Sequence, residues 1–192
     1  YGGVRLADIK KDVALDMLTG GTTFDPGDPE RKAIPIYWGS VDGFRRKDRS
    51  VIPSRKAKTR GPLLADLNRD GWLDVAAQEE NGTFTIWNGS AQGFEGARPQ
   101  IFELGRPDQL MYIKAADLNR DGWLDLLLPQ RGPAEGTEVS SFLYFGSPEG
   151  FSTGNRTTVP SYVPYQNTIT DLDRDGWLDL VLTAYGGEVS GN

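Results

Sequence analysis

Cysteine and histidine are both absent from this 192-residue chain. The missing cysteine excludes disulfides and thiolate metal sites. The missing histidine excludes the Ser-His-Asp triad, an imidazole general base and imidazole-bound zinc or iron. No apolar run approaches the ~20 residues that a membrane-spanning helix needs, so we expect no membrane insertion. With 21 basic against 27 acidic residues, the formal charge is -6. Because phosphate binding needs an excess of Lys and Arg, we expect no nucleic-acid partner.

Glycine and proline are abundant, with 24 and 12 residues, and aromatic residues make up 10% of the chain. This combination is typical of many turns that join short strands rather than of disorder. No long helical period is present, and the length is sufficient for one domain with a buried core.

A nine-residue motif recurs along the chain at intervals of 58, 51 and 54 residues. Its copies are DLNRDGWLD at Asp66–Asp74 and Asp117–Asp125, DLDRDGWLD at Asp171–Asp179, and a decayed DIKKDVALD at Asp8–Asp16. A Gly-Ser turn recurs in phase with it, as YWGSVDGF at Tyr37–Phe44, WNGSAQGF at Trp87–Phe94 and YFGSPEGF at Tyr144–Phe151. A fixed period of this size indicates a repeat architecture.

Short apolar or alternating runs between these landmarks predict four strands in each repeat, which is the content of one propeller blade. We therefore expect an all-β fold, a β-propeller of four-stranded blades with about three and a half blades present. A β-sandwich is less favoured because it has no reason to repeat the same loop at every fourth strand. The expected organisation is one partial domain over 1–192, with blades at about 1–58, 59–108, 109–164 and an incomplete 165–192. Since a propeller ring closes with 4–8 blades, we expect further blades or a partner chain to complete it.

These repeats resemble the FG-GAP/VCBS family, whose best-known members are the β-propellers of integrin alpha chains. The resemblance covers nearly the whole chain and rests on three near-identical motifs in phase. It implies that each Asp-rich loop links the first and second strands of a blade and binds calcium.

The spacing of oxygen-bearing residues within the motif independently predicts a cation site. A tight loop presents the side chains of positions 1, 3, 5 and 9 and the carbonyl of position 7 inward, and Gly at position 6 permits the turn. All-oxygen ligands favour Ca²⁺ over softer metals and over Mg²⁺. The alternative is a solvated Asp-Gly turn, but three or four close carboxylates repel one another unless a cation neutralises them. The expected ligands are Asp66, Asn68, Asp70, Trp72 (carbonyl) and Asp74; Asp117, Asn119, Asp121, Trp123 (carbonyl) and Asp125; and Asp171, Asp173, Asp175, Trp177 (carbonyl) and Asp179.

An EF-hand shares positions 1, 3, 5 and 6 but ends in a bidentate Glu at position 12. Here position 12 is Ala77, Leu128 and Leu182, so the EF-hand is excluded. The Asp at position 9 is then expected to close each site, in bidentate fashion.

The first copy of the motif departs from this pattern. Lys10 replaces the ligand at position 3 and Val13 replaces the glycine. We expect the ammonium to stand where the cation would, paired with the remaining carboxylates, and the loop Asp8–Asp16 to bind no calcium.

Two further features leave alternatives open. The tryptophan at position 7 can form a sugar-stacking platform, as in a lectin, but packing against a neighbouring blade is favoured. The segment Arg45–Arg60 holds eight of the 21 basic residues. It can dock an anionic glycan or an acidic partner, although a solvated outer strand is favoured.

The sequence predicts a calcium-stabilised, non-catalytic β-propeller module that binds a protein or glycan, for adhesion or assembly, in an extracellular, cell-surface or periplasmic setting. An enzyme such as a calcium-dependent polysaccharide lyase is an alternative, but no acid/base pair outside the metal loops stands out. A propeller lectin and an accessory subunit of a larger surface or membrane-associated complex are the remaining alternatives.

Overall fold

The computed structural model describes residues 3–20, 33–53, 59–79, 82–104, 112–130, 138–162 and 167–183. Every regular element in these ranges is a strand. The strands are β1 (Val4–Ala7), β2 (Asp16–Thr19), β3 (Ala33–Tyr37), β4 (Arg49–Pro53), β5 (Thr59–Ala65), β6 (Asp74–Glu79), β7 (Thr83–Trp87), β8 (Gln100–Glu103), β9 (Lys114–Ala116), β10 (Asp125–Leu128), β11 (Glu138–Tyr144), β12 (Arg156–Tyr162), β13 (Asn167–Thr170) and β14 (Asp179–Leu182). No helix in the described ranges is long and apolar enough to cross a membrane.

The chain divides into two compact units, Tyr1–Leu110 and Met111–Asn192. The first unit contains two four-stranded sheets, β1-β2-β3-β4 and β5-β6-β7-β8. The second contains the four-stranded sheet β9-β10-β11-β12 and the two-stranded sheet β13-β14. Within each sheet, strands that follow one another in sequence pair antiparallel, which is the meander of a propeller blade. The prediction of an all-β, partial β-propeller built from four-stranded blades is confirmed.

The central strands of each blade supply the core. Every residue of β6, β7 and β10 is buried, and their sequences carry few charges because both faces are covered. In the first unit one apolar cluster draws from both sheets, and its residues include Ile9 and Ile36 of the first blade and Val75 and Trp87 of the second. The outer strands β4 and β8 are largely exposed.

The two-stranded sheet at the end of the second unit is covered less than its counterparts. All four residues of β14 are only half-buried. Leu172, at motif position 2, is 64% exposed, whereas Ile9 and Leu67 at the same motif position are 2% and 4% exposed. The fourth motif therefore exposes the position-2 apolar side chain that the first two blades bury.

Candidate metal centre

Each copy of the nine-residue motif forms the turn between the first and second strands of a sheet. In the second blade the motif begins directly after β5, and its last residue, Asp74, is the first residue of β6. The same placement holds between β1 and β2, β9 and β10, and β13 and β14. This is the position that the family resemblance implies for the metal loop.

Aspartate side chains organise the backbone of the second-blade loop. Asp66 accepts the backbone N–H of Asp70 at Oδ1 (3.1 Å) and that of Gly71 at Oδ2 (2.9 Å). Asp70 in turn accepts the N–H of Trp72 at 2.8 Å. Asn68 also takes part, since its Oδ1 accepts the N–H of Asp70 at 3.0 Å and its Nδ2 donates to Asp70 Oδ2 at 3.0 Å. The side chains at positions 1, 3 and 5 therefore lie close together on the inside of the loop.

The third-blade loop repeats this arrangement bond for bond. Asp117 accepts the N–H of Asp121 at 3.1 Å and that of Gly122 at 2.9 Å. Asp121 accepts the N–H of Trp123 at 2.8 Å, and Asn119 donates to the Asp121 carboxylate at 2.9 Å. Two loops with the same sequence thus fold in the same way, as a local code requires.

The loop backbone turns through two left-handed residues. Arg69 at position 4 has φ 59° and Gly71 at position 6 has φ 86°, and the other intact loops match these values closely. A left-handed φ is costly for residues with a Cβ and costs nothing for glycine. This explains the glycine at position 6 and leaves the basic residue at position 4 in a conformation that the loop imposes.

The carboxylate at position 9 has a structural role that the sequence reading missed. Asp74 is fully buried and accepts the N–H of Leu67 and the N–H of Gly89, both at 2.8 Å. Asp16 and Asp125 make the corresponding pairs of bonds. Gly89 belongs to the Gly-Ser turn, so this aspartate ties the two repeated motifs of a blade together. The in-phase recurrence of the motifs was the signal for it.

Glycine in the Gly-Ser turn is required by close packing. A Cβ on Gly89 would overlap the carbonyl oxygen of Leu73, and a Cβ on Gly146 would overlap that of Leu124. Only glycine lets the turn approach the end of the metal loop closely enough for its N–H to reach the position-9 carboxylate. The bidentate role predicted for position 9 stays a prediction, since both oxygens already accept an N–H and retain one lone pair each.

Burial makes the carboxylates of Asp74 and Asp125 costly to ionise. It raises the pKa of Asp74 to about 6, against the lowering effect of the hydrogen bonds from Gly89 and Leu67. The charges of Asp70 and Asp66 raise it further. The pKa of Asp125 is raised for the same reasons, burial first. A cation in the loop would relieve this cost by stabilising the ionised form.

The fourth loop gathers carboxylates most closely. Asp171, Asp173 and Asp179 each place one carboxylate oxygen so that the three lie within 4.8 Å of one another. Asp171 Oδ2 accepts the N–H of Gly176 at 3.0 Å, while Asp171 Oδ1 is buried without a hydrogen-bond partner. A buried, unsatisfied carboxylate oxygen beside two further carboxylates fits a hard divalent cation, which takes oxygen ligands.

The tryptophan at position 7 enters each intact loop through its backbone. The N–H of Trp177 donates to Asp175 Oδ1 at 2.7 Å, as the N–H groups of Trp72 and Trp123 do to their own position-5 carboxylates. This bond sets the orientation of the peptide that carries the predicted carbonyl ligand. The ligand role of the three carbonyl groups stays a prediction.

The first loop keeps the fold of the others without their ligand set. Asp8 accepts the N–H of Asp12 and that of Val13, both at 2.9 Å. The expected pairing of Lys10 with the loop carboxylates is wrong, because its ammonium lies over the Trp38 ring, 3.8 Å from the centroid. The aromatic face draws the cation away from the loop. That this loop binds no calcium stays a prediction.

Two of the position-7 tryptophan rings are covered by a basic side chain from the preceding copy of the motif. Lys11 Nζ lies 4.2 Å from the centroid of the Trp72 ring, and Arg120 Cζ lies 3.9 Å from that of Trp177. These contacts support packing, rather than sugar stacking, as the role of the repeated tryptophan.

The basic segment Arg45–Arg60 is described only in part. Arg45 forms an ion pair with Asp42 at 2.6 Å. Residues 54–58 lie outside the described ranges, so the docking role of the segment stays a prediction.

Aspartate-rich turns between the first and second strands of antiparallel blades define a β-propeller repeat with a candidate metal loop. Residues 66–128 match the model of the FG-GAP-like repeat family. The chain is also similar to cartilage acidic protein 1 of Xenopus tropicalis, with 24% identity over 218 aligned positions that cover 95% of this chain. It spans 31% of the length of that relative. The family match over residues 66–128 agrees with the resemblance that the in-phase motifs carry along the rest of the chain.

Proposed function

We propose that the chain is a calcium-stabilised, non-catalytic binding module of an extracellular, cell-surface or periplasmic protein. The observation that carries the calcium proposal is the fourth loop, where three carboxylates converge and Asp171 Oδ1 is buried without a partner. The second and third loops share its backbone conformation and nearly its donor set. Three Ca²⁺ ions would neutralise a formal charge of -6.

Calcium would stabilise the fold and would take no part in a chemical reaction. When bound, it supplies positive charge to carboxylates that otherwise repel one another. Asp74 and Asp125 then hold both the loop and the Gly-Ser turn of their blades through backbone N–H groups. Ordering these turns would set the positions of the loops at one end of each blade, where a ligand can be recognised.

The test is a calcium titration of chelator-treated protein, followed by thermal melting. A site that is filled at ten times its dissociation constant adds about 1.4 kcal/mol to the free energy of unfolding. We expect a rise of several degrees in Tm with millimolar calcium and a smaller rise with magnesium. A melting curve that calcium leaves unchanged contradicts the proposal.

The matched control alters the loop with the closest carboxylates. The D171N/D173N variant removes two of the three converging carboxylates of the fourth loop and leaves its glycine in place. Its calcium-dependent rise in Tm is expected to be smaller than that of the unaltered chain. An equal rise would mean that calcium acts elsewhere.

A protein or glycan ligand is part of the proposal. For a glycan, the first unit offers a cavity of about 210 Å³ lined by residues that include Trp38, Ser50, Gln92, Phe94 and Glu95. Aromatic faces with nearby polar groups are suited to sugar rings. The test is binding of soluble glycans to the chain and to its W38A variant. Binding that W38A leaves intact would exclude this cavity.

Support for the extracellular setting comes from the relative, whose name refers to cartilage. Completion of the ring by further blades, in the same protein or in a partner chain, is also proposed. It is supported by the exposure of Leu172, Trp177 and Leu178, which a neighbouring blade would cover. The oligomeric state of the chain and of a longer form of the protein tests this.

A further inference from the structure

The basic residue at motif position 4 reaches from its own loop onto the next one. In the first unit, Lys11 lies over the Trp72 ring, and its Nζ is 3.5 Å from the place of a Cβ on Gly71. In the second unit, Arg120 lies over the Trp177 ring, and its Nη2 is 3.0 Å from the place of a Cβ on Gly176. Both cations therefore cover positions 6 and 7 of the following loop.

The conformation of the donating loop determines where this cation points. Arg120 has φ 61°, a left-handed value that a non-glycine residue holds only when its surroundings impose it. Its sequence neighbours are Asn119 and Asp121, two predicted calcium ligands. An ion that orders these two side chains also orders the backbone from which the guanidinium extends.

The receiving loop is contacted at the peptides that help to build its own site. The N–H of Gly176 donates to Asp171 and that of Trp177 donates to Asp175, at 3.0 and 2.7 Å. Asp171, Asp175 and the Trp177 carbonyl are predicted ligands of the fourth loop. A guanidinium stacked on Gly176 and Trp177 restrains the segment from which those ligands are presented.

We propose that Arg120 is a positioning residue that couples the third loop to the fourth, so that calcium in the third raises the calcium affinity of the fourth. The inference rests on the proposed calcium function. Repulsion between the guanidinium and the ion opposes the coupling, but both loops are exposed and this repulsion is screened by salt. A cation–aromatic contact at an exposed site corresponds to about a two- to five-fold change in affinity.

The second loop differs because its cation comes from the first loop. That loop lacks the glycine and the position-3 ligand and is predicted to bind no calcium, so its own hydrogen bonds, and no ion, are expected to set the position of Lys11. The affinity of the second loop is therefore expected to be independent of calcium in the loop before it.

The experiment measures the fourth loop alone. In a W72F/W123F background, terbium luminescence sensitised by Trp177 reports occupancy of that loop, and competition with calcium gives its affinity. We expect R120Q to weaken it about two- to five-fold. R120K, which keeps a cation, should stay within about two-fold of the parent.

The matched control is R174Q. Arg174 occupies the same motif position with φ 63°, and within the described residues it has no aromatic partner. R174Q should not weaken the fourth-loop affinity, because loss of this positive charge only relieves repulsion of the ion. If R120Q and R174Q have the same fourth-loop affinity while calcium still binds, the coupling proposal is overturned. If neither calcium nor terbium binds the parent chain, the proposed calcium function itself fails, which is a distinguishable result.

The coupling is then tested with D121N, which removes a predicted calcium ligand from the third loop. The variant should lower the fourth-loop affinity in the Arg120 protein and have no further effect in R120Q. An equal loss in both backgrounds would show that the coupling does not pass through Arg120. If the background variant fails to fold, calorimetric titration of the otherwise unaltered chain, with and without each Arg120 change, provides the same comparison.

Discussion

The carboxylate of Asp74 accepts the backbone N–H of Gly89 at 2.8 Å and so joins the end of the metal loop to the Gly-Ser turn of the same blade. Asp125 and Gly146 are joined in the same way at 3.0 Å. The two motifs that recur in phase along the chain are therefore two parts of one structural unit. A change that disrupts the metal loop is therefore expected to destabilise the Gly-Ser turn, and the reverse.

The first prediction concerns the glycine of this unit. G89A places a Cβ against the Leu73 carbonyl oxygen and displaces the N–H that Asp74 accepts. We expect a loss of about 2 kcal/mol in the free energy of unfolding, measured by denaturant titration. The control is G154A, where a Cβ would meet only Ser152 Oγ at 3.8 Å. Equal stability of the two variants would contradict this account.

The second prediction concerns pH. The pKa of Asp74 in the folded protein is raised from 3.8 to about 6, so the folded state binds this proton more tightly than the unfolded state. Its contribution to stability is then fully present below about pH 4 and is lost as the pH rises through about 6. This holds for the calcium-free protein, because a bound cation favours the ionised carboxylate and competes with the proton.

The measurement is the Tm of the chain with chelator and with calcium at pH 5 and pH 7. The rise in Tm caused by calcium should be larger at pH 7, where the proton no longer competes. Asp125 contributes in the same direction, since burial also raises its pKa. The D74N variant should show a weaker dependence on pH. A calcium effect of the same size at both pH values would count against the raised pKa.

The third prediction uses the strained residue of the first loop. Val13 has φ 74° and is 92% exposed, so its branched side chain gains no packing in return for a left-handed backbone. V13G should stabilise the protein by about 1 kcal/mol in the presence of chelator. V41G is the control, because Val41 is also fully exposed but does not have a positive φ. Destabilisation by V13G would show that the loop does not impose this conformation.

The fourth prediction converts the first loop into a metal loop. Asp8, Asp12 and Asp16 are already present, and the hydrogen bonds from Asp12 and Val13 to Asp8 already hold the turn. K10N/V13G supplies the missing side-chain ligand and the glycine. Calorimetry should then detect one additional calcium ion per chain compared with the parent. An unchanged stoichiometry would show that Asp16, tied to Ile9 and Gly39, is not available to an ion.

Much of the fold followed from the sequence because its code is local. The nine-residue motif sets its own turn: Asp66 bonds to Asp70 and Gly71 within five residues, so the same letters produce the same loop each time. Short alternating runs between turns predicted the strands for the same reason. The family resemblance located the loops between the first and second strands, and the structure agrees.

The sequence by itself determined the blades, the loops and the donor atoms available to a cation. Only the tertiary structure decided which distant groups these loops meet: Asp74 reaches Gly89, Lys10 turns to Trp38, and Arg120 stacks on Trp177. Each of these contacts joins residues that are distant in sequence. Their partners depend on how the sheets pack, and no spacing within nine residues encodes that packing. The loop conformation is local in origin, while the contacts that tie loops to turns and loops to one another are products of the assembled sheets.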